Sequence, residues 1–341
     1  MTNKYLRYGV GLDTGKELLH ACIGAIKKEG GFKIMAQKKF KNSLLGFDKL
    51  ISWLSKHVKE EVEVRFLLEV TGVYHEHLLY FLYKRGYKVS LEPGSRVKNY
   101  LKSIGHKSKT DKLDGKGMSQ MVCERSLSLW SPVSKFILQI RGILRHRKSL
   151  QKMKVKLENQ LHAQKHSHMK DAYVIKSLGK MIRQLIKQIN ESESKAEMLA
   201  KKDEEFYTKL ELTIREYKGM GLLTALTILS ETNGFSTFKN KKQLESYAGY
   251  DIVENSSGKY KGKTRISKKG NSNIRSVLYM AALSAVRAKS APFYSLYTRL
   301  VARNGGIKKK ANVAVQRKML VLFYTLWKKN EAFNINYHLA A

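Results

Sequence analysis

The sequence predicts an α/β domain with a mixed sheet, then a pair of long helices and a mostly helical C-terminal region. Three observations support this fold class. Apolar strands and amphipathic helices alternate over the first third of the chain. From Ser134 to about Glu216, apolar residues recur at three- and four-residue steps, which is the spacing of long helices. The last third returns to helical spacing and is interrupted by one basic loop.

The N-terminal stretch LRYGVGLDTGKELLHACIGAI predicts a hairpin of two strands. Its apolar residues alternate, break at Gly15 and then resume, as expected for two strands and a turn. Asp13 closes the first of these strands.

Two further strands and four helices are predicted next. The helices cover FDKLISWLSKHV, YHEHLLYFLYKRG, SRVKNYLKSIG and TDKLDGKGMSQMVCER, and the strands cover VEVRFLLEV and YKVSLEP. The strand VEVRFLLEV is apolar enough to be central in a sheet, and it carries Glu69. A carboxylate on such a strand is costly unless it is paired or bound to a metal, so Glu69 is a candidate functional residue.

The long helical segment is strongly basic. Between Lys135 and Lys187 it contains fourteen Lys and Arg residues but only two acids. We expect one face of these helices to lie along phosphates, although a solvated basic face is the simpler alternative.

The last third begins with YKGMGLLTALTILSETNGF and KKQLESYAGY, which have helical patterns. The basic loop ENSSGKYKGKTRISKKGNSNIR follows, and its part from Lys259 to Arg275 has seven basic residues and no acid. Helices are predicted over SVLYMAALSAVRA, FYSLYTRLVARNG and KKKANVAVQRKMLVLFYTLWKKN.

The charge indicates a nucleic-acid partner. The 65 Lys and Arg residues exceed the 28 Asp and Glu residues, which gives a formal charge of +37 that a polyanion would screen. The sequence contains no run of eighteen apolar residues and no signal peptide, so we expect a cytosolic protein that is not associated with a membrane. Two cysteines far apart argue against a zinc site.

Two acids stand within the basic segment HKSKTDKLDGKGM. Asp111 and Asp114 are three residues apart and would share one face of a helix. Surface ion pairs with neighbouring lysines are one explanation, and on this segment alone the more common one. The other is a divalent cation that relieves the repulsion between two carboxylates.

The acids of the N-terminal domain form a candidate metal site. Asp13, Glu69, Asp111 and Asp114 come from two strands and a helix, and four converging carboxylates would bind one or two Mg²⁺ ions. In a basic protein such a site suggests phosphodiester chemistry.

Several motifs together resemble the DEDD-type insertion-sequence transposases, which are related to Piv-like DNA invertases. The N-terminal motifs are GLDTGK, LLEVTGVYHEHLLYFL and KSKTDKLDGKGM. The C-terminal motifs are GMGLLTALTILSE, LESYAGY, NSSGKYKGKTRISKKGNSNIRSVLYMAALSA and FYSLYTRL. They occur in the correct order at both ends of the chain.

The resemblance implies three parts. Residues 1–130 would form a RuvC-like (RNase H-like) catalytic domain that carries the four acids. Residues 131–215 would form a coiled-coil dimerisation segment, and residues 216–341 a helical transposase domain with a catalytic serine.

The resemblance also assigns the chemistry and the partners. The serine matches Ser257, with Ser256 as the alternative, and would attack a DNA phosphate to form a covalent phosphoserine link. A homodimer that assembles to a tetramer would act on double-stranded donor and target DNA. A structured non-coding guide RNA, called a bridge RNA, would pair with both DNA partners.

The residues themselves favour part of this assignment. A serine in a basic loop that contains glycine is suited to attack phosphate, because neighbouring cations stabilise the developing charge. Without the resemblance, Ser257 would be read as an ordinary loop serine. We expect nine basic residues to hold phosphates: Lys107, Lys109, Lys112, Lys259, Lys263, Arg265, Lys268, Lys269 and Arg275.

Two departures from the family pattern stand out. The family usually has Asn-Pro where this chain has Glu92-Pro93, and Ala where it has Gly115. Glu92 could therefore be mistaken for a ligand, and a glycine early in a helix loosens it by up to about 1 kcal/mol.

Three hypotheses follow. The first is an Mg²⁺-dependent, RNA-guided DNA transposase or recombinase with a serine nucleophile. The second is a metal-dependent nuclease or Holliday-junction resolvase in which water attacks. The third is an RNA-binding protein without enzymatic activity.

Overall fold

The computed structural model describes residues 4–59, 61–70, 72–105, 111–258, 260–262, 264–303 and 305–334. The chain divides into two compact units, Met1–Pro132 and Val133–Ala341. Within the described ranges, no helix is both long enough and apolar enough to cross a membrane.

The N-terminal unit is built on a five-stranded sheet. Its strands are β1 (Tyr5–Thr14), β2 (Leu18–Lys27), β3 (Phe32–Lys41), β4 (Val64–Val70) and β5 (Lys88–Pro93). They lie in the order β3-β2-β1-β4-β5. The pairs β1–β2 and β2–β3 are antiparallel, whereas β1–β4 and β4–β5 are parallel. This mixed sheet has the RNase H-like topology, which confirms the predicted fold class.

Four helices complete this unit: α1 (Leu44–Ser55), α2 (Glu76–Lys84), α3 (Gly94–Ser103) and α4 (Asp111–Glu124). One face of the sheet packs against α1 and α2 through a core that includes Phe47, Phe66 and Leu82. On the other face, Leu67 packs with residues of α3 and α4 such as Leu101 and Met118.

Strand β3 is absent from the sequence-based prediction. Its sequence, FKIMAQKKFK, carries four lysines and only a weak alternation, so the pattern gives no clear strand signal. It is the edge strand of the sheet. Lysines are common on such strands because they discourage pairing with other chains.

The C-terminal unit is mostly helical, as predicted. Its helices are α5 (Lys135–His166), α6 (Ala172–Lys201), α7 (Glu204–Ile214), α8 (Leu222–Thr232), α9 (Lys241–Ala248), α10 (Ser272–Arg287), α11 (Phe293–Arg303) and α12 (Lys308–Lys329). The two long helices α5 and α6 pack along each other.

Helix α8 lies in the centre of this unit. Its residues Leu226 and Leu229 are fully buried in a core that also contains residues of α5, α10 and α12. Gly219, just before α8, has a positive φ of 89° and packs against the backbone of Ala281, where a Cβ would overlap. Gly219 of the GMG turn therefore serves packing at this position.

Four short strands that the sequence did not predict lie in the basic loop and directly before it. They are β6 (Ile252–Val253), β7 (Ser256–Ser257), β8 (Tyr260–Lys261) and β9 (Arg265–Ile266). The outer strands β6 and β9 pair with each other, and so do the inner strands β7 and β8. We call residues 252–266 the serine hairpin.

Candidate active site

Three carboxylate residues lie side by side on neighbouring strands of the N-terminal sheet. In the parallel pair β1–β4, Leu12 is opposite Leu68, so Asp13 and Glu69 follow at the same level. In the pair β4–β5, Glu69 is opposite Glu92. Because residues in register on adjacent strands point to the same face, Asp13, Glu69 and Glu92 form one row, which we call the acid row.

The acid row lies on the sheet face that helix α4 covers. Gly9 and Gly11 of β1 touch the backbone of Ser119 and Gly115, so closely that a Cβ on either strand glycine would overlap the helix. Asp13 shares this face with Gly9 and Gly11 because alternate strand residues point the same way.

The contacts between α4 and β1 follow a regular step. Four helix residues rise about 6 Å, and two strand residues advance about 6.6 Å. The contacts Gly9–Ser119 and Gly11–Gly115 follow this step. One more step would bring the backbone of Asp111 over Asp13. The N-terminal turn of α4, with Asp111 and Asp114, is therefore directed to the same end of β1.

The predicted residues of this region are only partly described. Asp114 is buried and has a polar partner. Lys107 and Lys109 lie outside the described residues, and so do the side chains of Asp111 and Lys112. Among the side chains that the structure describes, no three His, Cys, Asp or Glu residues are grouped closely enough to hold a metal ion. The side chain of Asp111 is not among them.

Glu92 forms an ion pair with Arg96. It is 4% exposed, and Nη1 of Arg96 donates hydrogen bonds to both carboxylate oxygens at 3.1 and 3.0 Å. Arg96 lies one turn into α3, so this pair connects β5 to the helix that follows it. Sequence analysis named Glu92 only as a residue that could be mistaken for a ligand, whereas the sheet register places it in the acid row.

The carboxylate of Glu69 lies against the first residue of α3. A Cβ on Gly94 would overlap Oε1 of Glu69. A side chain at position 94 would therefore displace the Glu69 carboxylate from the position that it takes beside α3.

A cavity of about 280 Å³ opens beside the N-terminal part of α4. His20, Lys38 and Lys39 contribute to its lining, together with Gly115. His20 is also the antiparallel partner of Asp13. Lys38 and Lys39 were missed as candidate phosphate contacts because strand β3 was not predicted.

The candidate serines lie in the C-terminal unit, on strand β7. Ser256 pairs with Lys261 and Ser257 with Tyr260, and both serines are exposed. Arg265, Lys268 and Lys269 are also exposed. Lys259 and Lys263 lie outside the described residues. The serine hairpin thus presents hydroxyl groups together with cations.

Arg275 differs from the other predicted phosphate contacts. It is half-buried, and its Nη1 donates a hydrogen bond to the carbonyl of Ala248 at 2.6 Å. At least one of its donors is therefore used to connect α10 to α9.

Sequence analysis missed a buried acid in the C-terminal unit. Glu231, at the end of α8, is 3% exposed and is bound by Arg145 of α5. Burial alone raises the pKa of Glu231, but hydrogen bonds from Arg145 and Asn271 outweigh this effect, so its pKa lies below the ordinary value. Like Glu69, Glu231 is a carboxylate at the end of an apolar run, and this local pattern is visible in the sequence.

Two family models match the chain. One, described as "Transposase IS116/IS110/IS902 family", matches residues 212–298. The other, a DEDD transposase model described as "Transposase", matches residues 10–169. The two matches include the acid row in the first unit and the serine hairpin and Glu231 in the second.

Two curated proteins are similar over nearly the whole chain. They are the pilin gene-inverting proteins of Moraxella bovis and Moraxella lacunata. Each is 26% identical in an alignment of 340 positions, which covers 96% of this chain and 98% of the relative.

Among solved structures, RuvC of T. thermophilus in complex with a Holliday junction substrate is 10% identical. The match covers 36% of this chain and 99% of that chain, with a TM-score of 0.28. A Ppx/GppA family protein of Aquifex aeolicus is 10% identical and covers 98% of this chain and 96% of that chain, with a TM-score of 0.22.

Proposed function

Because the chain belongs to the IS116/IS110/IS902 family of transposases, we propose that it recombines DNA through an Mg²⁺-dependent acid site and a covalent serine–phosphate intermediate. The observation that carries this proposal is the acid row under the N-terminal turn of α4. It gives a basic protein of this family a set of carboxylates at one end of its sheet.

The acid site is suited to a divalent cation. Asp13, Glu69, Asp111 and Asp114 would hold it, because carboxylate oxygens are the ligands that Mg²⁺ prefers. When bound, the cation stabilises charge on the phosphate that reacts. The carboxylate of Glu69 lies beside Gly94, and the contacts of Gly9 and Gly11 with α4 direct the N-terminal turn of this helix towards Asp13. The pairing of Glu92 with Arg96 supports a structural role for Glu92.

The serine hairpin is suited to the covalent step. Oγ of Ser257 would form a bond to a DNA phosphorus, and the bond from that phosphorus to the leaving deoxyribose oxygen would break. The serine proton passes to a base, and the leaving oxygen is protonated. Arg265, Lys268 and Lys269 would stabilise the charge that develops on the phosphate. Ser256 is the alternative nucleophile on the same strand.

The charge supports the nucleic-acid partners. The formal charge of +37 suits a protein that grips donor and target DNA together with a guide RNA, because base pairing then supplies the sequence specificity. The basic helices α5 and α6 would also provide the dimerisation segment, between a catalytic part at residues 1–130 and a transposase part from residue 216. Two dimers would form the active tetramer. The relatives named as pilin gene-inverting proteins support inversion of DNA, and the transposase family models support transposition. Either reaction would take place in the bacterial cytoplasm, at the nucleoid.

The decisive experiment is to trap a covalent protein–DNA adduct and to map its residue by mass spectrometry. We expect an adduct on Ser257 that disappears in Ser257→Ala and persists in Ser256→Ala. An adduct that depends on Ser256 instead would reassign the nucleophile. If DNA cleavage survives without a covalent adduct in both variants and in the double variant, the serine mechanism fails, and the nuclease or resolvase hypothesis, in which water attacks, replaces this one.

Two further measurements separate the remaining hypotheses. Single replacements of Asp13, Glu69, Asp111 and Asp114 should abolish DNA cleavage. If all four variants keep wild-type cleavage and metal binding, these acids are not the active site, and both enzyme hypotheses that rest on them fail. A wild-type protein that binds RNA but does not cleave DNA would favour the RNA-binding hypothesis. RNA that copurifies with the chain and is needed for activity would support guidance, whereas full activity of a nucleic-acid-free preparation on naked DNA would refute it.

A further inference from the structure

A buried carboxylate, Glu231, is the centre of a hydrogen-bond network in the C-terminal unit. Its side chain lies at the end of α8. Oε1 accepts hydrogen bonds from Nε of Arg145 at 2.7 Å and from Nδ2 of Asn273 at 2.8 Å. Oε2 accepts hydrogen bonds from Nη2 of Arg145 and Nδ2 of Asn271, both at 2.7 Å. Four donors thus saturate a carboxylate that has about four acceptor sites.

The two asparagines begin helix α10. The side-chain oxygen of Asn271 caps this helix by accepting hydrogen bonds from the amides of Asn273 and Ile274. Oδ1 of Asn273 accepts a hydrogen bond from Nζ of Lys148 at 2.8 Å. Glu231 therefore fixes the start of α10 and, through Arg145 and Lys148, connects it to α5.

The same network holds the base of the serine hairpin. The amide of Asn271 donates to the carbonyl of Tyr247 at 2.7 Å, and the hydroxyl of Tyr247 donates to the carbonyl of Glu231 at 2.9 Å. The segment from residue 247 to residue 271, which contains the whole hairpin, thus has both ends attached to Glu231.

Backbone contacts tighten this base. The amide of Ser267 donates to the carbonyl of Asp251 at 2.8 Å, and the amide of Lys268 donates to the carbonyl of Gly249 at 3.1 Å. Gly270 packs against the backbone of Tyr247 and Gly249 so closely that a Cβ on it would overlap. The base of the hairpin therefore has little freedom, although its serines are exposed.

We propose that Glu231 is a positioning residue: its carboxylate holds the base of the serine hairpin and so sets the direction in which Ser257 is presented to the DNA phosphate. The proposal rests on the proposed function for the role of Ser257, but the attachment of the hairpin to Glu231 does not. No other acid among the described residues joins α5, α8, α10 and the end of the hairpin in this way.

The test compares the full-length wild type with Glu231→Gln. In the variant an NH₂ group must face donors of Arg145 or the asparagines, so at least one hydrogen bond is lost. Glu193→Gln is the matched control, because Glu193 also pairs with an arginine of α5, Arg147. Within the part of the chain that the structure describes, its hydrogen bonds and ion pairs do not reach the hairpin base.

Two readouts are needed. Hydrogen exchange of peptides from residues 250–270 reports how rigidly the hairpin is held. The rate of adduct formation at saturating DNA reports how well Ser257 is presented to the phosphate. We expect Glu231→Gln to raise exchange in this segment and to slow adduct formation about 10- to 100-fold, as misplacement of a reacting group by about 1 Å does. DNA affinity should stay within about twofold of the wild type, since no phosphate contact is removed. A purely structural role would instead lower affinity and adduct rate together.

The outcomes are distinguishable. If Glu231→Gln changes neither the hydrogen exchange of residues 250–270 nor the rate of adduct formation, the inference is overturned, even if Ser257→Ala abolishes the adduct. If DNA strand exchange survives in both serine variants while Glu231→Gln raises hydrogen exchange in the hairpin, the covalent mechanism fails. The attachment of the hairpin to Glu231 is then still supported. Asn273→Ala removes one donor to Glu231 and is the second variant should Glu231→Gln not fold. For the inference to hold, Asn273→Ala must also raise hydrogen exchange in the hairpin and slow adduct formation.

Discussion

Glu69 and Glu92 lie in register on β4 and β5, and Arg96 binds both carboxylate oxygens of Glu92. The family resemblance gives Asn in place of Glu92, so a charge at this position is not required by the pattern. The ion pair with Arg96 therefore distinguishes Glu92 from Glu69, although both are glutamates at the ends of strands. Glu69 belongs with the candidate metal ligands, and Glu92 with the contacts that hold α3.

The first prediction distinguishes these two acids. Glu69→Gln should lower metal-dependent DNA cleavage by more than about 100-fold, because even groups that only support a ligand are worth 10- to 100-fold. Glu92→Asn should leave cleavage close to the wild-type rate but lower the free energy of unfolding by about 1–2 kcal/mol, through loss of the bond to Arg96. Cleavage assays and urea unfolding of both variants measure this. Equal loss of cleavage in the two variants would make Glu92 a ligand as well.

The second prediction concerns two glycines of the N-terminal unit. Gly94→Ala should lower cleavage about 100-fold, because its Cβ would displace the carboxylate of Glu69. Gly115→Ala is the control, since its Cβ would meet Cβ of Cys22 at an ordinary 3.6 Å. It should keep cleavage and raise the free energy of unfolding by up to about 1 kcal/mol, the gain expected for alanine in a helix. Full cleavage by Gly94→Ala would contradict the constraint on Glu69.

The third prediction is a pH dependence. Glu63 accepts hydrogen bonds from Arg7 of β1 at 2.8 Å, from Arg65 of β4 at 3.1 Å and from Lys88 of β5 at 2.7 Å. The bond from Lys88 is the largest cause that lowers the pKa of Glu63 to about 2. A folded-state pKa below the ordinary value means that the stabilisation is present above about pH 4.5 and is lost as the pH falls towards 2.

Hydrogen exchange of peptides from β1, β4 and β5 measures this effect. Between pH 7 and pH 5 these peptides should be better protected in the wild type than in Glu63→Gln, by about 1–2 kcal/mol after allowance for the exposed Lys88. The difference should vanish near pH 2. Asp48→Asn, which breaks the exposed pair with Arg85, is the control and should change protection little. A difference that persists unchanged at pH 2 would rule out this titration.

Much of the site was predictable because its signals are local. Asp13 at a strand end and Glu69 on an apolar strand are visible in short windows of sequence. The rest depends on pairing between distant segments. Glu92 joins the acid row only through the register of β4 with β5. Glu231 meets Arg145 and Asn271 across 86 and 40 residues, and such contacts leave no periodic trace.

Strand β3 and the strands of the serine hairpin were missed for a related reason. Edge strands and two-residue strands bury little apolar surface, so their formation depends on a partner strand and hardly on their own pattern. As a result, Lys38 and Lys39 beside the acid row were not predicted as candidate phosphate contacts. The candidate serines were assigned to a loop, although they lie on a short paired strand.

The last prediction tests whether the cations after the serine hairpin hold phosphates. Lys268 and Lys269 are exposed and adjoin the hairpin base, so each is free to neutralise a DNA or RNA phosphate. The double variant with glutamine at both positions should reduce the slope of log K against log salt concentration by up to about 2, because each neutralised phosphate contributes about 0.9. The control double variant changes Lys201 and Lys329, which pair with Glu197 and Glu331. It removes the same formal charge, so an equal change of slope in both variants would show that net charge, and not this site, determines the binding.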